Sequence, residues 1–433
     1  MSGSPSLKCA IALERNGWIF AVAAGIAPVL SVFAPLGMMP LVGALAALLL
    51  ADDMIRSRGM PQDLIATWHA SANLRRFTLL CALLWAWMLA SVAWAVMPRQ
   101  SLQACLQIAG LILTAHVMLA AALRFEQAQR ERILAALLIG LVVAFGLYAV
   151  ERLGDAPIGH LLHSYTYDGN ESVFSPYNRG LTIALLLSFA AAACLSRRET
   201  PASARKLQAL LVVGAASVAI YFYYGSSLQI ALIAALAAAL LTLALPKLGF
   251  WIIGIAAAIY IGVVPLIPQQ VTAKVDLVEL SAKTGNVSIS HRLAIWSFAA
   301  ERIFDKPLIG WGMNSARAIP GGKDTVVLSY ENGAVSSVGE QLPLHTHNAA
   351  LQWWLELGAL GAILMAGMWL LCFSRMARCG TRGARAAGIG AAIGAFTVAN
   401  LSYGAWQSWW LATLTLVAAL LVLALREDDA SRP

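Results

Sequence analysis

The stretch that decides the fold is His345-Thr-His-Asn-Ala-Ala-Leu-Gln-Trp-Trp-Leu-Glu-Leu-Gly-Ala-Leu-Gly361, which joins a long polar segment to a hydrophobic run. Two imidazoles, an amide, two indoles and a carboxylate therefore lie where polar chain meets an apolar helix. Helical spacing predicts that His347, Leu351 and Trp354 share one face, because residues three and four apart are neighbours. Polar groups at a membrane boundary are costly unless they line a cavity, so this boundary is the first candidate site.

The composition of the chain identifies its class. Of 433 residues, 60% are hydrophobic and only 12% are charged, and the mean hydropathy is +0.72. Many separate apolar runs of about 17–25 residues indicate a helical bundle, since barrel strands would be short and alternating. The six cysteines form no close pair with histidine and are expected to be buried apolar residues. We predict an all-α polytopic membrane protein.

Twelve transmembrane spans are predicted. The first two are separated by the turn Ala34-Pro-Leu-Gly37, and a break at Tyr224-Gly-Ser226 splits an overlong run, where merging the spans would change the count. The predicted spans are 17–34, 36–51, 75–96, 101–122, 131–150, 178–196, 207–224, 226–245, 247–265, 347–374, 384–404 and 407–425. The chain is thus expected to form one transmembrane domain, 1–433, with residues 266–346 as a large loop between spans 9 and 10.

Clusters of lysine and arginine set the predicted orientation. The net charge of +8 could suggest nucleic acid, but the basic residues lie in short clusters between apolar runs, so no nucleic acid is expected as a partner. Placing both termini inside puts most of the basic residues on the cytoplasmic side. In a bacterium this predicts an inner-membrane protein whose large loop faces the periplasm.

The large loop has a helical pattern of its own. Residues 265–346 carry seven basic and seven acidic residues, and Ile289–Phe304 has the spacing of an amphipathic helix. Asp305-Lys-Pro307 is expected to end that helix, and Gly310 and Gly312 predict a tight turn after it. A second, shorter exterior segment spans 152–178. A loop of this length with a helical pattern is expected to form part of the active site.

Two arginines are candidate anion ligands. Arg179 begins an apolar span, and Arg292 begins the amphipathic helix, where Ser288 and Ser290 are candidate N-caps. A cation is unfavourable at a helix N-terminus, so a bound phosphate would explain Arg292. Guanidinium binds phosphate bidentately and keeps its charge. The alternatives are a snorkelling arginine at the membrane surface for Arg179 and a solvated one for Arg292.

The two histidines of the opening stretch are candidates for acid–base chemistry. His345 and His347 flank Thr346, with Asn348 adjacent, and a neutral imidazole is a suitable general base near pH 7. A zinc site is the alternative use. Glu356 is expected to line a cavity or to pair inside the bundle. The sequence has no nucleotide-binding glycine loop and no exterior acidic pair for a divalent cation, which predicts metal-independent chemistry without a cofactor.

Three motifs together resemble a known family. His345-Thr-His-Asn-Ala-Ala-Leu-Gln, Arg292-Leu-Ala-Ile-Trp and Asp305-Lys-Pro-Leu-Ile-Gly-Trp-Gly, around a long exterior loop, are similar to the O-antigen ligase superfamily. That superfamily includes lipopolysaccharide O-antigen ligases, O-antigen polymerases and protein O-oligosaccharyltransferases. The resemblance covers about residues 170–375, and the twelve-span layout covers the rest. It implies a GT-C-like glycosyltransferase that moves undecaprenyl-diphosphate-linked O-antigen en bloc to a lipid A-core sugar.

The resemblance also implies roles for particular residues. Arg179 and Arg292 match the family's donor-diphosphate arginines, and His347 matches its catalytic histidine, because it directly precedes the asparagine. The polyprenyl tail would lie among membrane lipids against two neighbouring indoles, for which an ordinary aromatic belt is the alternative. The implied supporting residues are His345, Asn348, Tyr177, Asn178, Trp353 and Trp354.

Other functions stay open at this point. An O-antigen polymerase or a protein O-oligosaccharyltransferase would use the same donor. A lipid or glycan transporter is the alternative from another class, but few ionisable residues lie at mid-membrane depth, where a transporter holds its substrate. The interior of the large loop, Gly321 to Gln341, matches no motif.

Overall fold

The computed structural model describes residues 7–162, 176–197, 201–223, 225–246, 248–331, 334–378 and 380–425. Within these residues twelve helical stretches are long and apolar enough to cross a membrane, which confirms the predicted all-α polytopic class. The helices are α1 (Leu7–Phe33), α2 (Met38–Arg56), α3 (Gln62–Ala70), α4 (Ala72–Ser91), α5 (Pro98–Ala122), α6 (Gln127–Leu153), α7 (Pro157–Leu162), α8 (Tyr177–Leu195), α9 (Ala202–Tyr223), α10 (Ser226–Ala244), α11 (Leu248–Val263), α12 (Ile267–Thr272), α13 (Leu277–Thr284), α14 (Val287–Asp305), α15 (Ala349–Met376), α16 (Arg382–Leu401) and α17 (Ser408–Leu425).

The twelve stretches agree with the predicted spans to within a few residues at most ends. The uncertain break is real, because α9 ends at Tyr223 and α10 begins at Ser226. The first two spans are joined by a short 3-10 helix, Pro35–Gly37, as the turn residues predicted. Most of the shorter exterior segment, residues 163–175, lies outside the described residues.

Helix α8 lies at the centre of the bundle. It packs against α1, α6, α9, α16 and α17, and nearly all of its side chains are buried. After Arg179 its sequence contains only apolar residues, glycine, serine and threonine, and a helix that is apolar all round is one that is buried. The body of α8 is therefore held by neighbours on several sides.

The large loop packs as an ordered structure over one end of the bundle. The predicted amphipathic helix is confirmed as α14. The predicted N-caps are wrong: the cap is Asn286, whose side chain accepts from Ser288 N at 3.1 Å. The helix therefore begins earlier than expected, and Arg292 lies in its second turn, where the end of the helix dipole has little effect.

A β-hairpin in the loop was not predicted. Strands β1 (Thr325–Glu331) and β2 (Ala334–Glu340) pair antiparallel, with Thr325 opposite Glu340. The hairpin lies in the part of the loop, Gly321 to Gln341, that matched no motif in the sequence. A sequence signal existed, because β-branched residues flank Asn332-Gly333, a dipeptide typical of hairpin turns.

Helix α15 is broken at Gly358, where the backbone has φ +65° and ψ −165°. The segment after α14 fills the break: Trp311 N donates to Leu355 O at 2.9 Å, and Ala359 N donates to Pro307 O at 2.9 Å. A Cβ on Gly310 would lie 2.5 Å from the backbone of Glu356. The glycines of the motif after α14 therefore allow the loop backbone to pair with a helix interrupted inside the membrane.

The opposite end of the bundle carries an ionic network. Asp53 accepts from Leu64 N at 2.9 Å, and Asp63 pairs with both Arg56 and Arg124 at 2.7 Å. Each span reverses the chain, so the end of α2 and the start of α15 lie at opposite ends of the bundle. The buried pair Asp52-Asp53 is thus far from the histidines.

Candidate active site

The first residues of α8 are anchored to the end of α6. Tyr177 donates its hydroxyl hydrogen to Glu151, whose side chain is fully buried. The same carboxylate accepts from Ile158 N and Gly159 N, each at 2.9 Å. This network fixes the backbone just before Arg179. The Arg179 side chain is exposed and forms no ion pair with any carboxylate in the described part of the chain.

Asn178 lies between Tyr177 and Arg179 and contacts the turn before α10. A Cβ placed on Gly225 would lie 2.4 Å from Asn178 Oδ1, so the amide packs directly on the turn before α10. Asn178 Oδ1 has no hydrogen-bond partner among the described groups. The amide thus brings an unsatisfied acceptor to the turn before α10.

Arg292 extends from α14 toward the start of α10. Its Nη1 donates to Ser227 Oγ at 2.8 Å, and no described carboxylate pairs with it. Burial lowers the pKa of this guanidinium, although its charge is retained. A half-buried cation with a neutral partner keeps most of its five donors free for an anionic ligand.

The His345-Thr-His347 stretch adopts a compact turn before α15. The prediction that His347 lies on the helix is wrong, because α15 begins at Ala349 and His347 has φ +52°. Its backbone N–H donates to His345 Nδ1 at 3.1 Å, and the two rings lie 4.2 Å apart between centroids. The side chain of the first histidine therefore stabilises the unusual backbone conformation of the second.

A single contact fixes the proton arrangement of the His347 ring. Nδ1 lies 2.7 Å from the carbonyl oxygen of Ser402. A carbonyl only accepts, so Nδ1 carries the hydrogen and a neutral ring leaves the lone pair on Nε2. His347 is thereby held in the tautomer that a general base requires.

Both imidazoles are held neutral by their surroundings. Burial lowers the pKa of His347, and the charges of Arg292 and His291 lower it further, while the bond to Ser402 raises it. Burial also lowers the pKa of His345, to about 3, with contributions from His347 and Arg317. Arg292 and Arg317 are therefore near enough for their charges to act on the histidines.

The turn between α16 and α17 connects His347 to Arg179. Tyr403 follows Ser402, and its hydroxyl lies 3.2 Å from Thr182 Oγ1. Burial raises the pKa of Tyr403, while the charge of Arg179 lowers it. Arg179, Arg292 and His347 thus lie at the same end of the bundle, around one turn.

Asn348 caps α15 and ties it to α11. Its Oδ1 accepts from Leu351 N at 3.0 Å, and its Nδ2 donates to Tyr260 OH at 2.8 Å. Asparagine is a favoured N-cap because it satisfies a free backbone N–H. The amide therefore supports the position of His347 through the backbone that follows it.

The two tryptophans are packing residues. Trp353 is only 6% exposed, and Trp354 donates its indole N–H to Ile261 O at 2.7 Å. The expectation that both line a lipid tail is corrected for Trp353, whose side chain lies inside the bundle.

Within the described ranges, no three of the His, Cys, Asp and Glu side chains group as metal ligands. Metal-independent chemistry stays a prediction.

Several residues of the site were not singled out from sequence. Arg317 and His291 act on the histidines through their charges, and Ser402 acts through its main-chain carbonyl. Glu356 was noted as lining a cavity or pairing inside the bundle, and the second outcome is correct. An acid in an apolar helix is a signal in itself, whereas a backbone carbonyl gives none.

The fold and the site define a polytopic membrane protein with arginines and neutral histidines gathered at one end of its helices. A family model described as O-antigen ligase matches residues 209–366, which include Arg292 and His347. Proteins of Rickettsia conorii and Rickettsia bellii, named "Putative polysaccharide ligase", are 33% identical over 164 residues and 34% identical over 169 residues. These findings show that part of the chain is similar to the O-antigen ligase family.

The similarity is confined to part of each protein. Each of these two alignments covers 38% of this chain and 38% of the relative. The chain therefore spans well under half the length of the relatives it matches.

Proposed function

We propose that this chain is an O-antigen ligase. It would transfer the glycan en bloc from an undecaprenyl diphosphate donor to a sugar of a lipid A-core acceptor. The observation that carries the proposal is the His347 Nδ1–H bond to Ser402 O, which leaves Nε2 as a proton acceptor beside Arg292. The family match over 209–366 and the names of the rickettsial relatives support the same class of reaction.

The proposed reaction is a single displacement. His347 Nε2 takes the proton of the acceptor hydroxyl as its oxygen attacks the anomeric carbon of the donor glycan. The bond from that carbon to the diphosphate oxygen breaks, and the electron pair leaves with the diphosphate. Arg179 and Arg292 stabilise the charge that develops there, as preorganised donors do in other transferases. One displacement inverts the anomeric centre, and the chemistry needs no metal ion or cofactor.

The proposed location is the bacterial inner membrane, with the site at the periplasmic face. Both termini would then be cytoplasmic. The argument is the distribution of lysine and arginine between the spans, which favours this orientation. Twelve candidate spans support a multi-pass protein that the lipid-linked donor reaches through the bilayer.

A lipopolysaccharide gel tests the proposal. The chain is expressed in a ligase-deficient strain with a compatible core, beside His347→Asn and His69→Gln, with membrane levels checked by immunoblot. Asparagine tolerates a positive φ better than most residues, so His347→Asn preserves the backbone. His69 is exposed at the other end of the bundle and serves as the matched control. We expect an O-antigen ladder with the natural chain and the control, and none with His347→Asn.

Each other outcome has a clear meaning. A ladder that survives His347→Asn leaves the ligase in place and contradicts the catalytic assignment. A longer lipid-linked polymer without a ladder favours an O-antigen polymerase, and a glycosylated protein favours a protein O-oligosaccharyltransferase. Vesicle uptake of the lipid-linked donor without transfer would favour the transporter.

A further inference from the structure

We propose that Glu356, acting with Gln352 and Trp406, is the group that positions His347 for proton transfer. This inference rests on the proposed function and deepens it. The three side chains connect α15 to the turn between α16 and α17, which carries the Ser402 carbonyl. None of them reaches the reacting atoms, so they are positioning residues.

The Glu356 carboxylate is fully buried and completely satisfied. Oε2 accepts from Asn314 N at 2.8 Å and from Trp406 Nε1 at 2.6 Å. Oε1 accepts from Ala316 N at 3.3 Å and from Gln352 Nε2 at 3.1 Å. All four partners are N–H donors, which is the environment of an ionised carboxylate. A buried charge is costly, and this one is compensated by hydrogen bonds that join three separate segments.

Those segments surround the site. Asn314 and Ala316 precede Arg317, whose charge acts on His345. Trp406 belongs to the turn that also contains Ser402. The carboxylate thus binds both the segment before Arg317 and the turn that contains Ser402, and it holds the two at a fixed separation.

The end of α16 and the turn that follows it are attached to α15 at three points. Ala350 N donates to Asn400 Oδ1 at 3.1 Å, and Ala405 N donates to Gln352 Oε1 at 2.8 Å. The indole of Trp406 provides the third bond, to the carboxylate. Ser402 lies between the first two attachment points. Its carbonyl is therefore held where it accepts the His347 Nδ1–H bond, and a looser turn would release that bond.

A displaced Ser402 carbonyl would change the chemistry of His347. Without this acceptor, the imidazole exchanges between its two tautomers, and the fraction with a free Nε2 lone pair decreases. Proton transfer is sensitive to such changes, because displacements of about 1 Å cost up to about 100-fold in rate. Donor binding through the arginines would be unaffected. The proposal therefore predicts a loss in kcat with little change in KM.

The test uses two mild variants of the full chain. Trp406→Phe keeps the aromatic ring and removes the bond to Glu356, and Gln352→Met removes both bonds of the amide. Trp85→Phe is the matched control, since its indole donates to Cys105 O at 2.9 Å elsewhere in the bundle. Each protein is labelled with ¹⁵N-histidine in lipid nanodiscs, and His347→Asn assigns the His347 signal. Transfer kinetics are measured on the same samples with purified donor and acceptor.

We expect the natural chain and Trp85→Phe to show His347 with its hydrogen on Nδ1. Trp406→Phe and Gln352→Met should show mixed tautomers, with kcat lower by about 10-fold and the donor KM within about twofold. An unchanged tautomer and an unchanged kcat in both variants would overturn the proposal. So would variants that are partly unfolded but whose folded molecules still carry the His347 hydrogen on Nδ1. If the natural chain transfers no glycan, the proposed function fails, while the ¹⁵N spectra still decide the positioning role.

Discussion

At the scale of single residues, His347 is expected to stay neutral at a pH where a solvated histidine is protonated. Burial and the charge of Arg292 lower its pKa below the ordinary value of 6.5, despite the bond to Ser402. A general base works only when it is unprotonated, so activity should persist below pH 6.5 and fall as the pH drops through the lowered pKa. The check is kcat/KM between pH 4.5 and 8. An acid limb at or above pH 6.5 would contradict the assignment.

Arg292 is expected to act through the paired N–H donors of its planar guanidinium as well as through its charge. Arg292→Lys keeps a cation near Ser227 but loses paired donors to the diphosphate. We expect the transfer rate to fall on the order of 100-fold, as when a preorganised donor is lost elsewhere. Arg76→Lys, an exposed arginine at the other end of the bundle, is the control. Full activity in Arg292→Lys would mean that charge alone is enough.

Sequence reasoning identified the residues of the candidate site that carry unusual side chains. Arg179 and His347 were candidates because a polar side chain beside an apolar run is costly, and Arg292 was a candidate because a cation is unfavourable at the start of a helix. Ser402 was missed because its contribution is a main-chain carbonyl, which every residue has. The conformation of His347 was also missed, since the helical spacing after it gave no sign that the helix begins only at Ala349.

At the scale of the element, the break in α15 gives a sharp stability prediction. Gly358 has a backbone conformation that only glycine adopts readily, and an added Cβ would lie 2.3 Å from Leu308 O. Gly367 is in the same helix, and nothing lies within 4 Å of its Cβ position. Gly358→Ala should therefore strongly lower the thermal midpoint in detergent, whereas Gly367→Ala should leave it unchanged or raise it. Equal midpoints would contradict the broken helix.

The elements that sequence predicted are those that bury a periodic face. Helix α14 was located because its apolar residues recur at helical spacing and pack on the bundle. The hairpin was not located, although Asn332-Gly333 marked it, because the short strands have exposed faces and weak alternation. Gly358 makes a close contact with the loop backbone at Leu308. Pairing between the loop backbone and α15 joins segments that are distant in sequence, so no local sequence pattern predicts it.

At the scale of the whole molecule, hydropathy was enough to predict the twelve spans but not their arrangement. Each span had to bury about 20 apolar residues, a requirement that is readable from sequence alone. The central place of α8 follows instead from which helices pack together. That packing brings Arg179 to the same end as Arg292 and His347, although they are far apart along the chain.

The sidedness of the site is the prediction on which the donor chemistry depends. In a cysteine-free background, Lys323→Cys places a thiol at an exposed position of the large loop, and Arg58→Cys places one at an exposed position at the opposite end of the bundle. A membrane-impermeant maleimide applied to cells with a permeabilised outer membrane should label the first and reach the second only after lysis. The reason is the excess of basic residues at the Arg58 end, which the positive-inside rule assigns to the cytoplasm. If only Arg58→Cys were labelled in intact cells, His347 would lie at the cytoplasmic face. A lipid A-core acceptor at the periplasmic face could not reach it there.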